Sequence, residues 1–183
     1  MKNPYFYASV GKTSLYNQHV NLRKQGHNYV ATIGSDFLTT NVTVENIEFT
    51  LQIWDTCGQE RFESLGTSFY RGADACILVF DIANLLSFHK IGTPLFIIAQ
   101  LLDYWKAVFI TETGVTDPEN FPFVLVGNKV DLNNRRQVTR EQAEAWCKKN
   151  GNMPYVESSA KQLINVDQAF IEAARSFLLH PRQ

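Results

Sequence analysis

The sequence is short of cysteine, of excess charge of either sign and of long apolar runs, and each shortage excludes something. Its three cysteines, Cys57, Cys76 and Cys147, are scattered with no C-x-x-C pair. That argues against a disulfide framework and against a zinc site, and it fits a reducing compartment. Lysine plus arginine (17) nearly balance aspartate plus glutamate (18), for a net charge of -1. A chain so near neutrality predicts no general adhesion to nucleic acid or to an anionic membrane. The run from Leu95 to Leu102 is broken by Gln100 and falls far short of the roughly 18 to 20 residues that a membrane span needs. The histidines, His19, His27, His89 and His180, form no ligand pattern. No charged-then-apolar leader opens the sequence, and no cysteine stands among Leu178 to Gln183 to carry a prenyl group. As written, the chain is expected in the cytoplasm.

What is present is an ordinary globular composition, 45% apolar and 19% charged over 183 residues, which suits one domain with a proper core. Near its start, Ser9-Val10-Gly11-Lys12-Thr13-Ser14 has the tail of a phosphate-binding loop, G-x-x-x-x-G-K-[ST]. In such a loop backbone N–H groups cradle phosphate, the lysine reaches the β- and γ-phosphates and the hydroxyl ligates Mg²⁺. The first glycine of that pattern would fall at position 6, where the chain has Phe6. A helical pattern then runs through Leu15 to Val20, so its dipole favours the anion.

Further on, Val42 and Val44, then Ile47, Phe49, Leu51 and Ile53, alternate on either side of Glu45-Asn46, which reads as a β-hairpin. Ala75 to Ile82 and Phe121 to Gly127 are apolar runs of strand length, suited to central strands covered on both faces, and Pro154 to Glu157 reads as one more strand. Thr139 with Gln142 makes a capping box for a helix ending near Asn150-Gly151. Asn165 is expected to cap a last helix whose Val166, Phe170, Ala173 and Phe177 share one face. Gly92 and Pro94 fall inside a helical stretch from about Ser87 to Phe109, which should therefore form two pieces. The β/α alternation predicts an α/β fold, a doubly wound, mostly parallel sheet with one antiparallel hairpin strand and with ligands at the carboxyl ends of its strands.

Several polar motifs stand at those strand ends. Asp55 is placed to hold Mg²⁺ through water, and Gly58 offers an unhindered N–H to a γ-phosphate. Gln59 can orient an attacking water, and Thr32, in a polar connection, could reach the metal and the γ-phosphate. Asn128-Lys129-x-Asp131 follows a strand, and its aspartate can accept two N–H groups from a guanine edge, a pairing adenine does not offer. Ser159-Ala160-Lys161 can aim a backbone N–H at the guanine oxygen. Each motif alone has a plainer reading: a turn and helix start for Gly11-Lys12-Thr13, a strand end for Asn128-Lys129, a simple turn for Ser158-Ser159. Their joint order reverses those odds.

With these residues the chain resembles a P-loop small GTPase (G domain) of the Ras superfamily, and specifically a Rab. Trp54-Asp55-Thr56-Cys57-Gly58-Gln59-Glu60-Arg61-Phe62 is nearly the family's second-switch signature, with Cys57 as a small stand-in for alanine. Ile33-Gly34-Ser35-Asp36-Phe37 and Phe69-Tyr70-Arg71-Gly72-Ala73 are similar to stretches that set Rabs apart. Asp117 to Phe123, Ala143 to Cys147 and Ile164 to Phe170 are most like the late-endosomal and lysosomal branch. The resemblance implies slow, Mg²⁺-assisted hydrolysis of GTP to GDP and phosphate in a switch of late endosome-to-lysosome vesicle traffic. It implies Gln59 as the catalytic residue, and Thr13, Thr32 and Asp55 as metal ligands. Nucleotide contacts would come from Ser9, Val10, Gly11, Lys12, Thr13, Ser14, Tyr29, Thr32, Gly58, Asn128, Lys129, Asp131, Ser159, Ala160 and Lys161. It also implies an exchange factor, a GTPase-activating protein, a GDP-dissociation inhibitor or escort protein, and trafficking effectors. A prenylated member would sit on late endosomes or lysosomes. The aromatic set Trp54, Phe69 and Tyr70 is open between core packing and an effector face.

The chain departs from the pattern in three places. Its first strand, before the phosphate loop, is expected to be truncated or missing, because Pro4 would remove a ladder bond there and Phe6 would crowd the loop. An apolar insertion falls near residues 91–100, and the tail lacks the anchoring cysteines. These departures keep two alternatives beside the switch: a nucleotide-binding-deficient binding module, and an unstable splice or gene-model variant.

Overall fold

A computed structural model describes residues 10–20, 35–56, 70–88 and 101–180. Helix α1 (Lys12–Val20) springs directly from Gly11, whose carbonyl accepts the Leu15 N–H at 2.9 Å. Strands β1 (Ser35–Val44) and β2 (Ile47–Thr56) then pair antiparallel, from Ser35 opposite Thr56 to Val44 opposite Ile47. The turn between them is the expected Glu45-Asn46, with φ of 52° and 65°. Positive φ at both central residues gives the mirror-image turn whose twist suits a two-residue hairpin.

Strands β3 (Cys76–Asp81), β4 (Phe123–Asn128) and β5 (Tyr155–Glu157) form a parallel sheet in that order. Helices α2 (Leu101–Thr113), α3 (Arg140–Lys149) and α4 (Val166–Leu179) alternate with them. Every residue of β4 is buried, as its unbroken apolar run predicts. Successive side chains leave opposite faces of the strand. Phe123 and Leu125 join Phe80, Leu102, Phe109 and Trp146 in one core, while Val124 and Val126 join Leu15, Phe170 and Ala173 in another. The central strand is thus sandwiched between α2 and α3 on one side and α1 and α4 on the other.

The capping box at Thr139 forms as expected: Gln142 N–H donates to Thr139 Oγ1 at 3.2 Å and Thr139 N–H to Gln142 Oε1 at 2.8 Å. Asn165 does occupy the cap position of α4, but its side chain does not cap the helix. Its backbone is left-handed (φ 50°, ψ 26°), and its Nδ2 donates instead to the Glu157 carbonyl at 2.9 Å. The side chain is thereby diverted to the end of β5. The stretch expected as two helical pieces shows a 3₁₀ turn at Leu85–Ser87 and then α2, which continues past Phe109 to Thr113. Residues 89–100, with Pro94, lie outside the described residues.

Among the described residues β2 pairs only with β1, and β3 only with β4. Between those two sheet edges runs a cleft of about 740 Å³ walled by Leu51, Ile53, Ile77, Val79, Phe170 and Ala173. It reaches Val10, Lys12 and Asp55. The expectation of a shortened first strand falls on residues 1–9, outside the described residues.

Candidate functional site

The carboxyl ends of β2, β3 and β4 meet the start of α1 at one end of the molecule. The end of β2 is fixed there by Asp55, which is 4% exposed and accepts the Thr13 hydroxyl at 2.6 Å. Lys12 and Thr13 are the first residues of α1, the helix end whose dipole favours an anion. Two hard oxygen donors, a hydroxyl and a buried carboxylate, therefore stand side by side. Among the described residues no group of three or more His, Cys, Asp or Glu could hold a metal. Mg²⁺ binds through one or two protein oxygens and completes its shell with phosphate and water. Thr13 and Asp55 fit the ion that the resemblance implies; Thr32 lies outside the described residues.

Gly11 has φ +95°, and a Cβ built on it would lie 2.4 Å from Nδ2 of Asn128. Only glycine allows both that backbone angle and that approach. The amide that comes so close is the centre of the site. Asn128 is 1% exposed at the end of β4; its Nδ2 donates to the Val10 carbonyl at 2.9 Å, and its Oδ1 accepts the Ala160 N–H at 3.3 Å. One side chain thus joins the phosphate-loop candidate to the Ser159-Ala160-Lys161 loop.

Lys129 follows in the left-handed region (φ 69°, ψ 38°), and its ammonium lies 2.7 Å from Asp81 Oδ2. Asp131 lies in the first turn of the 3₁₀ stretch Val130–Arg135, and its Oδ1 accepts the Ser159 hydroxyl at 2.6 Å. The Val130 N–H donates to the Ser158 carbonyl at 3.1 Å, so the loops after β4 and β5 are bonded both through backbone and through side chains. Ser158 and Ser159 are fully buried, and Ala160 is 4% exposed. Lys161 is exposed beside them, and Ser14 is exposed on α1.

Below this platform Arg136 grips Glu157 with both arms of its guanidinium, at 2.8 and 3.2 Å, and also donates to the Val138 carbonyl at 3.2 Å. The Tyr155 hydroxyl donates to the same carboxylate at 3.0 Å. Burial pushes the Glu157 pKa up, but the hydrogen bonds from Arg136 and Tyr155 and the guanidinium charge outweigh it and hold the carboxyl below its ordinary value. Burial, then the Glu157 charge, pushes the Tyr155 phenol well up.

The structure brings together Val10, Gly11, Lys12, Thr13, Asp55, Asn128, Lys129, Asp131, Ser159 and Ala160 from the sequence expectations. Ser9, Tyr29, Thr32, Gly58 and Gln59 lie outside the described residues. Sequence reasoning missed Asp81, Arg136 and Glu157. The signal for Asp81 was available: a carboxylate ends the apolar run Cys76 to Phe80, at the strand end where ligands gather.

A family model described as Ras family matches residues 7–179 of the chain. The chain belongs to the Ras family. Over 92% of its length it is 50% identical to the Ras-related protein Rab-7a of Dictyostelium discoideum, of which it covers 77%. It is 50% identical to the Ras-related protein Rab7 of Pisum sativum over 93% of the chain and 78% of that protein. With the GTP-binding protein yptV5 of Volvox carteri it shares 49% identity over 96% of the chain and 80% of that relative. It is therefore a Rab7-like small GTPase, and the parallel sheet with its antiparallel pair is a Ras-like G domain. No helix among the described residues is long and apolar enough to cross a membrane.

Proposed function

We propose that this site binds guanine nucleotide through the residues gathered around Asn128. A Rab7-like member of the Ras family is a GTP-dependent switch of late-endosomal and lysosomal traffic and an enzyme that hydrolyses GTP. We assign the individual side chains the roles that the family resemblance implies, and the geometry of the site supports them. Lys12 and the first N–H groups of α1 receive the phosphates. Asp131, steadied through one oxygen by Ser159, keeps acceptor capacity for the N–H edge of guanine. The Ala160 N–H, which donates to Asn128 Oδ1 at 3.3 Å, is assigned to the guanine oxygen as well, and Lys129 and Lys161 to the faces of the base. The reading rests above all on Asn128, because its two hydrogen bonds hold the phosphate loop and the base loop at a fixed spacing.

Thr13 and Asp55, with Thr32, would hold Mg²⁺, which when bound offsets charge on the phosphates. The chain's own residues supply placement rather than covalent chemistry. Gln59 is the candidate to orient the attacking water, with Gly58 beside the γ-phosphate and Tyr29 beside the nucleotide. Ser9, Val10, Gly11 and Ser14 complete the phosphate loop. The partners that fit are an exchange factor, an activating protein, a dissociation inhibitor or escort protein, and effectors that read the GTP state, at late endosomes or lysosomes. We read residues 1–183 as a single domain of this kind, supported by the family match over 7–179.

Titrating the chain with fluorescent GDP and GTP in Mg²⁺ tests the proposal. Saturable binding that competes with GTP but not with ATP, and that weakens when Mg²⁺ is chelated, is the expected result. Equal competition by ATP, or no saturable binding by a folded chain, would overturn it.

A further inference from the structure

Asp81 lies at the end of β3, opposite Asn128 in the parallel register, and is 7% exposed. Both of its carboxylate oxygens are engaged. Oδ1 accepts the Ala83 N–H at 2.8 Å, and Oδ2 lies 2.7 Å from the ammonium of Lys129. Its backbone is held as well, since the Asp81 N–H donates to Ser87 Oγ at 2.9 Å. The carboxylate is therefore rigidly presented. Lys129 leaves the chain from a left-handed residue, and its Cε lies 4.0 Å from where a Cβ on Gly11 would stand. The lysine stem thus runs beside the phosphate loop before its ammonium reaches Asp81.

We propose that Asp81 is a positioning residue of the nucleotide site, holding Lys129 alongside Gly11 and so coupling the phosphate loop to the base-reading loop. The inference rests on the guanine-nucleotide reading for its consequence, though not for its geometry. A partly buried ammonium that loses this carboxylate loses a charge-assisted partner, and the stem is then held less firmly against the loop.

Asp81→Asn separates this role from a plain structural one. The amide oxygen still accepts the Ala83 N–H, which leaves an NH₂ group facing the Lys129 ammonium in place of an acceptor. In the full chain loaded with fluorescent GDP and Mg²⁺, Asp81→Asn should speed nucleotide release by roughly 10- to 100-fold, the range for losing a hydrogen bond to a charged group. Lys129→Met should speed it at least as much, and the double variant no more than Lys129→Met alone, because both changes remove the same interaction. Release unchanged by Asp81→Asn, or effects that multiply in the double variant, would overturn the proposal.

Hydrogen exchange on the nucleotide-free chain provides a second readout. The amides of Leu15, Val130 and Leu132 donate to Gly11, Ser158 and Lys129 carbonyls, and should exchange faster in either variant and no faster in the pair. If the parent chain failed to bind GDP, the nucleotide reading would fall while exchange still decided the role of Asp81. Should Asp81→Asn fail to fold, Lys129→Met carries the test from the other side. Unchanged exchange at Leu15 in that variant would sink the coupling.

Discussion

The loops after β4 and β5 and the segment carrying α1, β1 and β2 face the same site but are built differently. In the first region the buried side-chain polar groups are answered within the protein. Asp131 meets Ser159, Val130 meets Ser158, Arg136 meets Glu157, and the apolar side chains of β4 are fully enclosed. The second region is joined internally by the bond of Thr13 to Asp55, and it is tied to the rest at particular points: Val10 is held by Asn128, and His19 lies 2.7 Å from Asp167 and stacks on Phe170 at 4.0 Å. The hairpin leans on α4 through Val42, Val44 and Ala174, and the cleft separates its edge from β3. The loops after β4 and β5 are thus preformed by the fold itself, whereas the described residues around Val10 and α1 meet them at particular junctions. Nucleotide recognition and global stability should consequently respond to different substitutions.

The largest expected effect comes from Leu125→Ala, in the middle of β4 and 0% exposed. It should cost about 2–5 kcal/mol in urea unfolding, the range for buried leucine truncation. Loss of that size should reach every protected amide at once. Val44→Ala, at the hairpin end and 2% exposed, should instead open the amides of β1 and β2 while leaving those of β4 protected. Hydrogen exchange that showed both regions opening together in both variants would erase the contrast.

Next in size is Gly11→Ala, which strikes the junction and spares the core. The added Cβ would fall 2.4 Å from the Asn128 amide at a φ of +95°, so the loop must shift or Asn128 must give up its bond to Val10. Backbone strain of about 1–3 kcal/mol corresponds to roughly 5- to 150-fold weaker nucleotide binding. The melting temperature of the nucleotide-free chain should move far less than in Leu125→Ala. A large melting shift with unaltered GDP affinity would show that the junction belongs to the core after all.

The same contrast decides how much could be read from the sequence. The hairpin with its turn at Glu45-Asn46, the buried strand through Val124 and Val126, and the capping box at Thr139 are local patterns, and each formed where its spacing put it. Asp55, Asn128 and Asp131 were expected at or just after strand ends because motif order groups them there, and the structure places them so. What local spacing does not carry is pairing between distant elements. The bond of Asn128 to Val10 spans 118 positions, and the grip of Arg136 on Glu157 spans 21. Asn165 shows the converse failure: a residue type suited to capping a helix was claimed by a carbonyl eight positions away, at the end of β5. Tertiary competition for a polar side chain is not written in its neighbours.

The smallest and most selective test is pH. Glu157 is held below its ordinary pKa in the folded chain by Arg136 and Tyr155 against the pull of burial. A depressed carboxyl stabilises the fold at pH values above its unfolded pKa, about 4.3, and that contribution disappears as pH falls through the lower folded value. Glu157→Gln should therefore melt below the parent chain at pH 7, with the gap closing progressively below about pH 4.3. Because the Arg136–Glu157 pair braces the loop bearing Asp131 against the strand leading to Ser159, the variant should also soften guanine selectivity, while leaving the exchange of hairpin amides alone. A gap between the two melting curves that stayed constant from pH 7 to pH 3 would mean that the carboxylate charge contributes nothing, and that Glu157 acts only as a shape beneath the loops.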